Sequence, residues 1–123
     1  MTFDIKEENM LVVKASDVKA DYTSGPMQGE GVSFRQLLVS DKTPGSGGYS
    51  CAIVNFNPGA RLAFHTHPAE QVIYCTAGAG IIATEDTEYT MTPGMVIIIP
   101  PGVKHWHGAT ATTPFSHFAV FKG

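Results

Sequence analysis

The sequence predicts an all-β protein, a sandwich or barrel of antiparallel strands. Only 15% of its 123 residues are charged while 43% are hydrophobic, which leaves little solvated helix surface. Its 13 glycines and 8 prolines call for frequent turns. From about residue 31 onward, short runs rich in Val, Ile, Phe, Tyr and Thr recur roughly every 8–12 residues between turn signals. None has an apolar helical stripe backed by a polar face. A chain of this length is one domain and buries enough surface to fold without a staple.

Residues 1–30 have weak periodicity and are read as an N-terminal extension to a barrel over 31–123. "MLVVKASDV" suits a short strand or a single helical turn, and "YTSGPMQGEG" is turn-rich. The strand-like runs then follow in order: "VSFRQLLVS", "YSCAIVNF", "RLAFHTH" ending at Pro68, "QVIYCTA", "IIATE", "TEYTM", "MVIIIP", "KHWHGA" and "FSHFAVF". "PG" recurs at 58–59, 93–94 and 101–102, each time as a tight turn at a strand boundary.

Eight Lys and Arg stand against 11 Asp and Glu, a formal charge of −3, and no basic cluster occurs. Nucleic acid and anionic membranes are therefore not expected partners. The acidic start "MTFDIKEENM" lacks the basic segment and apolar core of a signal peptide, and "MVIIIPP" is too short to span a bilayer. A cytoplasmic location is expected. Cys51 and Cys75 form no CxxC pair and sit in apolar runs, which suits two buried thiols in a reducing compartment.

All five histidines fall in the C-terminal half: His65, His67, His105, His107 and His117. Side chains two apart on a strand share a face, so His65 pairs with His67 and His105 with His107, while Trp106 faces away. Two such pairs on different strands can direct imidazoles at one divalent ion inside a barrel. Two histidines on a solvated face arise easily by chance; two pairs beside Pro/Gly turns do not. Counting on in steps of two reaches Gln71, not Glu70, although Pro68 can break the alternation. Glu70 is then a surface carboxylate at a loop edge.

The glycines around these pairs complete two motifs. In the first, Gly59 is followed by "ARLAF", His65 and His67, then "PAE", Gln71, "VIYCTA" and Gly78. In the second, Gly94 is followed by "MVIII", Pro100, Gly102 and His105. Over roughly residues 31–121 the chain resembles the cupin superfamily, small β-barrels that carry both motifs. Gln71 stands where the family usually has Glu, and Ala109 where it has Asn. The resemblance implies a double-stranded β-helix, or jelly-roll barrel. It also implies one divalent transition metal on His65, His67, Gln71 and His105, with Mn or Fe favoured and Ni, Zn or Co compatible. Such a neutral ligand set leaves the ion's double positive charge uncompensated, which strengthens it as a Lewis acid.

The pattern is similar to cupin hydroxynitrile lyases, to cupins related to carboxymuconolactone decarboxylases and to uronate-linearising cupins. His117 matches the histidine that moves a proton in the first group. His107, inward beside His105, is the second candidate for that role, and a core histidine with one hydrogen bond is the alternative for each. Ala52, Val54, Phe64 and Ile73 are expected to complete an apolar pocket wall. The expected function is a metal-dependent lyase, isomerase or oxygenase acting on a small carbonyl, hydroxy-acid or sugar-acid substrate. The alternatives are a non-catalytic binding or sensor module, and a scaffold whose histidines are remnants. A homodimer is expected, with "MLVV" and "FRQLLV" as spare strand-forming runs.

Overall fold

The structure is a computed structural model that describes residues 4–5 and 10–123; the rest of the acidic opening stretch lies outside them. Among the described residues the strands are β1 (Asp4–Ile5), β2 (Leu11–Val12), β3 (Asp21–Tyr22), β4 (Gln28–Glu30), β5 (Ser33–Val39), β6 (Tyr49–Phe56) and β7 (Arg61–Leu62). They continue as β8 (Gln71–Gly78), β9 (Gly80–Ala83), β10 (Glu88–Met91), β11 (Val96–Ile99), β12 (Trp106–Ala109) and β13 (Phe115–Lys122). "MLVVKASDV" is both of the things it suggests, the strand β2 and then a 3-10 turn at Ala15–Asp17. No helix among the described residues is long and apolar enough to cross a membrane.

Two antiparallel sheets pack face to face as a jelly-roll sandwich. One has the order β10-β9-β12-β7-β4 and the other β11-β8-β13-β6-β5-β3. β13 is the last strand in the chain, yet it lies between β6 and β8 at the centre of the larger sheet. Alternation aims one side of each strand at the core: Ala52, Val54 and Phe56 on β6, Gln71, Ile73 and Cys75 on β8, and Phe115, His117 and Ala119 on β13. Phe56, Phe115, Ile73, Met91 and Cys75 are fully buried. Cys51 departs from the sequence reading: it points outward and is half-buried, on the face opposite to Cys75.

Two further expectations shift. "FRQLLV" is not spare, because β5 is paired on one side with β6 and on the other with β3. "RLAFHTH" is not one continuous strand. Its ladder stops at Leu62, and the Ala63 N–H is taken by the carbonyl of Met27 instead. Residues 21–30 are stitched into both sheets, β3 beside β5 and β4 beside β7.

The three PG turns share one geometry with a fourth, Pro44–Gly45, which the sequence reading passed over. Gly45, Gly59, Gly94 and Gly102 have φ of 88°, 77°, 92° and 75°, and each turn is closed by a hydrogen bond from the residue after the glycine back to the residue before the proline. A proline followed by a left-handed residue defines a type II turn, and glycine takes that conformation without strain.

Gly80 serves a different purpose. A Cβ there would sit 2.2–2.4 Å from the ring of Phe115, which stacks on Phe56 across the end of the core. With the ring fully buried, Gly80→Ala should destabilise the fold by about 1–3 kcal/mol through overpacking. Urea unfolding measures this, and a midpoint equal to that of the parent would show that the ring has room to move.

Candidate metal centre

The two histidine pairs are brought together by backbone, not by side chains. His65 and His105 form an isolated antiparallel bridge: the His65 N–H donates to the His105 carbonyl at 2.9 Å, and the His105 N–H donates back at 3.0 Å. A third bond, from the Gly102 N–H to the His67 carbonyl at 2.9 Å, ties the PG turn of the second motif to the histidine pair of the first. The bridged residues hold their imidazole centroids 4.4 Å apart, and the His67 ring lies 5.0 Å from that of His65. One ring nitrogen from each of His65, His67 and His105 lies within 4.8 Å of the others, a grouping able to hold a metal ion.

The hydrogen bonds decide which nitrogens are free. His65 Nδ1–H donates to the Ala63 carbonyl at 2.7 Å, and His105 Nδ1–H donates to the Val103 carbonyl at 2.8 Å. A carbonyl only accepts, so both rings carry their proton on Nδ1 and keep a lone pair on Nε2. This is the arrangement in which an outer partner orients a histidine for metal binding. His65 Nε2, His67 Nε2 and Gln71 Oε1 are buried with no hydrogen-bond partner among the described residues. Buried acceptors left unpaired are rare and cost about 1–3 kcal/mol each. Neutral nitrogen and oxygen donors of this kind suit a divalent transition ion, so the residues present fit a metal.

Behind them runs a second chain. His105 Nε2 is 3.1 Å from His107 Nε2, and His107 Nδ1 is 3.1 Å from His117 Nε2. Because His105 Nε2 can only accept, His107 must donate to it from Nε2–H. His107 Nδ1 then accepts from His117 Nε2–H. His107 and His117 are fully enclosed, with His117 against the rings of Phe56 and Phe115.

A cavity of about 310 Å³ opens over this cluster. His65, His67, Gln71, His107 and His117 line it, with Ala52 and Val54 on its wall. Gln71 is buried while Glu70 is exposed, because Gln71 begins β8 on the same face as Ile73 and Cys75. Phe64 and Ile73 do not line the cavity. Phe64 is adjacent to His65 in an extended segment and so points the other way, 41% exposed, with the Lys104 ammonium 5.1 Å from its ring centroid. Ile73 faces inward but lies two residues deeper along β8, within the solid core. Trp106 does face away from the histidines and packs under the Arg61 guanidinium, 4.7 Å from the ring centroid.

The sequence reading missed the other side of the mouth. Asp21 to Ser24 line it, together with Arg35 and Phe121. The signal for Arg35 was present: it alternates with Ser33 and Leu37 in "SFRQLLV", a charge at an inward position of an apolar strand.

Burial holds these imidazoles neutral. It pushes His65 down to about 4 and His117 down to about 3, lowers His67 and His105, and holds His107 well below the ordinary 6.5. The sign for stability follows directly. Above pH 6.5 the rings are neutral in both folded and unfolded chains, so they add no pH dependence. Between 6.5 and 4 the unfolded chain takes up protons that the folded chain refuses, and stability falls. Thermal melts of metal-free protein should therefore drop by on the order of 10 °C from pH 7 to pH 5. A flat profile would mean the cluster is not held neutral.

Comparison with known proteins agrees with this architecture. A family model described as "Cupin domain" matches residues 52–121. The chain is 47% identical over 70 residues to (R)-mandelonitrile lyase of Granulicella tundricola, a match covering 56% of this chain and 53% of that protein. It is 35% identical over 80 residues to auxin-binding protein ABP19b of Prunus persica, covering 60% and 38% respectively. The chain thus spans about half or less of the length of these curated relatives. A crystal structure of a cupin-like protein from Thermotoga maritima superposes with a TM-score of 0.71 at 30% identity, over 83% of this chain and 80% of that one. With more than half its length matched by the family model and both motifs meeting at the His65–His105 bridge, the chain belongs to the cupin superfamily.

Proposed function

We propose that the protein is a metal-dependent enzyme of lyase or isomerase type, acting on a small substrate with a carbonyl or hydroxyl oxygen. One observation carries the reading. The partnerless acceptors His65 Nε2, His67 Nε2 and Gln71 Oε1 belong to residues lining one cavity, beside a His105 Nε2 that also has only a lone pair to offer. His65, His67, Gln71 and His105 would hold one divalent ion, with Mn or Fe favoured. The bound ion supplies a Lewis acid that polarises a substrate oxygen and stabilises developing negative charge on it.

The chain's own residues do the rest. Once His105 Nε2 is committed to an ion, the His107 Nε2–H loses its acceptor and can donate to a ligand in the cavity instead. His117 Nε2–H donates to His107 Nδ1 and holds that tautomer in place. Both rings are neutral at ordinary pH, so His107 acts there as a hydrogen-bond donor that can stabilise negative charge on a ligand oxygen, and His117 positions it. The Phe56 and Phe115 rings pack against His117 and hold it in place. Lyase chemistry is favoured by the 47% identity to a protein named (R)-mandelonitrile lyase. A second reading, non-catalytic binding of a small molecule, is supported by the relatives named as auxin-binding proteins.

Metal analysis of the purified protein, with melting curves after adding Mn²⁺, Fe²⁺ or Zn²⁺, tests the ion. One ion per chain is expected, with a rise in Tm that His65→Ala and Gln71→Leu both reduce. A full Tm response in Gln71→Leu would remove Gln71 from the site. Release of benzaldehyde from mandelonitrile tests the chemistry. With metal retained, His117→Ala should release His107 from its tautomer and lower kcat about 10²-fold. Unchanged turnover would end the positioning role of His117, and tight ligand binding without any turnover would favour the binding module.

A further inference from the structure

The cavity over the histidines contains one basic side chain, Arg35, which the proposed function does not use. It stands on β5 between the inward positions Ser33 and Leu37, with Val54 opposite on β6, and is an exposed residue that lines the cavity. Among the described residues the ion pairs are Arg61–Glu30 and Lys104–Glu85, and neither involves Arg35. Asp21 is its register partner on β3 and lines the same cavity, yet its carboxylate is not within ion-pairing distance of the guanidinium. Arg35 is thus an exposed cation on the cavity rim that has no ion-pair partner among the described residues.

We propose that Arg35 anchors a carboxylate on the ligand, so that the site takes a small monocarboxylate whose other end presents an oxygen to the histidines. Three features select this class. A guanidinium fork matches the two oxygens of a carboxylate. One guanidinium matches the single charge of a carboxylate, and Asp21 on the same rim repels a phosphate dianion more strongly than a monoanion. The wall between Arg35 and the histidines is apolar, formed by Leu37, Ala52, Val54, Ala119 and Phe121. A volume of about 310 Å³ holds a compact molecule, room for about ten water-sized groups. The inference rests on reading this cavity as the ligand site, and it separates the acid substrates from the neutral cyanohydrins within that reading.

The test uses the full chain freed of metal, so that its outcome does not depend on the ion. Binding of 4-fluorobenzoate and of the neutral isostere 4-fluorobenzamide is followed by ¹⁹F NMR. The acid should bind about tenfold or more tighter than the amide, as expected for hydrogen bonds to a charged group. Arg35→Gln should abolish that preference, Arg35→Lys should restore part of it, and Asp21→Asn should strengthen it. Far-UV circular dichroism checks that each variant is folded. Equal binding of acid and amide, no binding of the acid, or a preference that survives in Arg35→Gln would each overturn the assignment. Inorganic phosphate displacing the probe better than acetate would overturn the choice of carboxylate. Metal-induced rises in Tm, measured on Arg35→Gln, report on the ion separately. Their loss from the parent protein would count against the metal site and not against Arg35.

Discussion

The site depends on one pair of backbone hydrogen bonds, those between His65 and His105. They join two segments forty residues apart, at a point where the first has already left its strand ladder and the second has not yet entered one. Backbone bonds are made by any residue, so the joint does not depend on the side chains it carries. The type II turn at Pro101–Gly102 delivers the second segment, and the Gly102 N–H bond to the His67 carbonyl prevents the first from peeling away. With the main chain held there, the imidazoles are fixed before any ion arrives. The Ala63 and Val103 carbonyls then select their tautomers. Geometry and protonation are both set by main-chain atoms, and preorganisation of this kind makes a site precise.

Electrostatics explains why the cluster tolerates its own enclosure. A charged imidazole in this position would lose its hydration without gaining a carboxylate partner, so burial lowers the affinity of the rings for protons. Glu70, the nearest carboxylate in sequence, is turned out to solvent. The inner part of the cavity therefore presents neutral donors only, and formal charge appears at its mouth, on Arg35 and Asp21. This division places electron-pair donors at one end and ion recognition at the other, with apolar wall between them.

Much of this was legible in the chain. β6 has the bounds of the run "YSCAIVNF", and β8 to β13 each lie within one or two residues of the run that predicted them. A period of two in short β-branched runs is a local property that tertiary packing only has to accept. Gln71 was legible for the same reason, since the face of β8 follows from its own alternation. Phe64 was misplaced because a position near the ligands in sequence was read as a position near them in space, although adjacent residues of an extended chain point apart. Alternation along β5 marked the face of Arg35 but not its destination, and neither it nor Asp21 was found, because nothing local to residues 21–35 indicates that β3 and β5 close over histidines some thirty residues further along.

The sequence by itself determined the fold class, the turns and the pairing of histidines within each HxH, because these follow from backbone periodicity and from the conformations open to Pro and Gly. Only the tertiary structure decided that His107 and His117 stand in hydrogen-bonded line behind His105, and that Arg35 shares their cavity. Those relations run across sheets and between strands distant in the chain. They depend on register, and above all on β13 entering the larger sheet between β6 and β8, with His117 level with Val54 and Cys75.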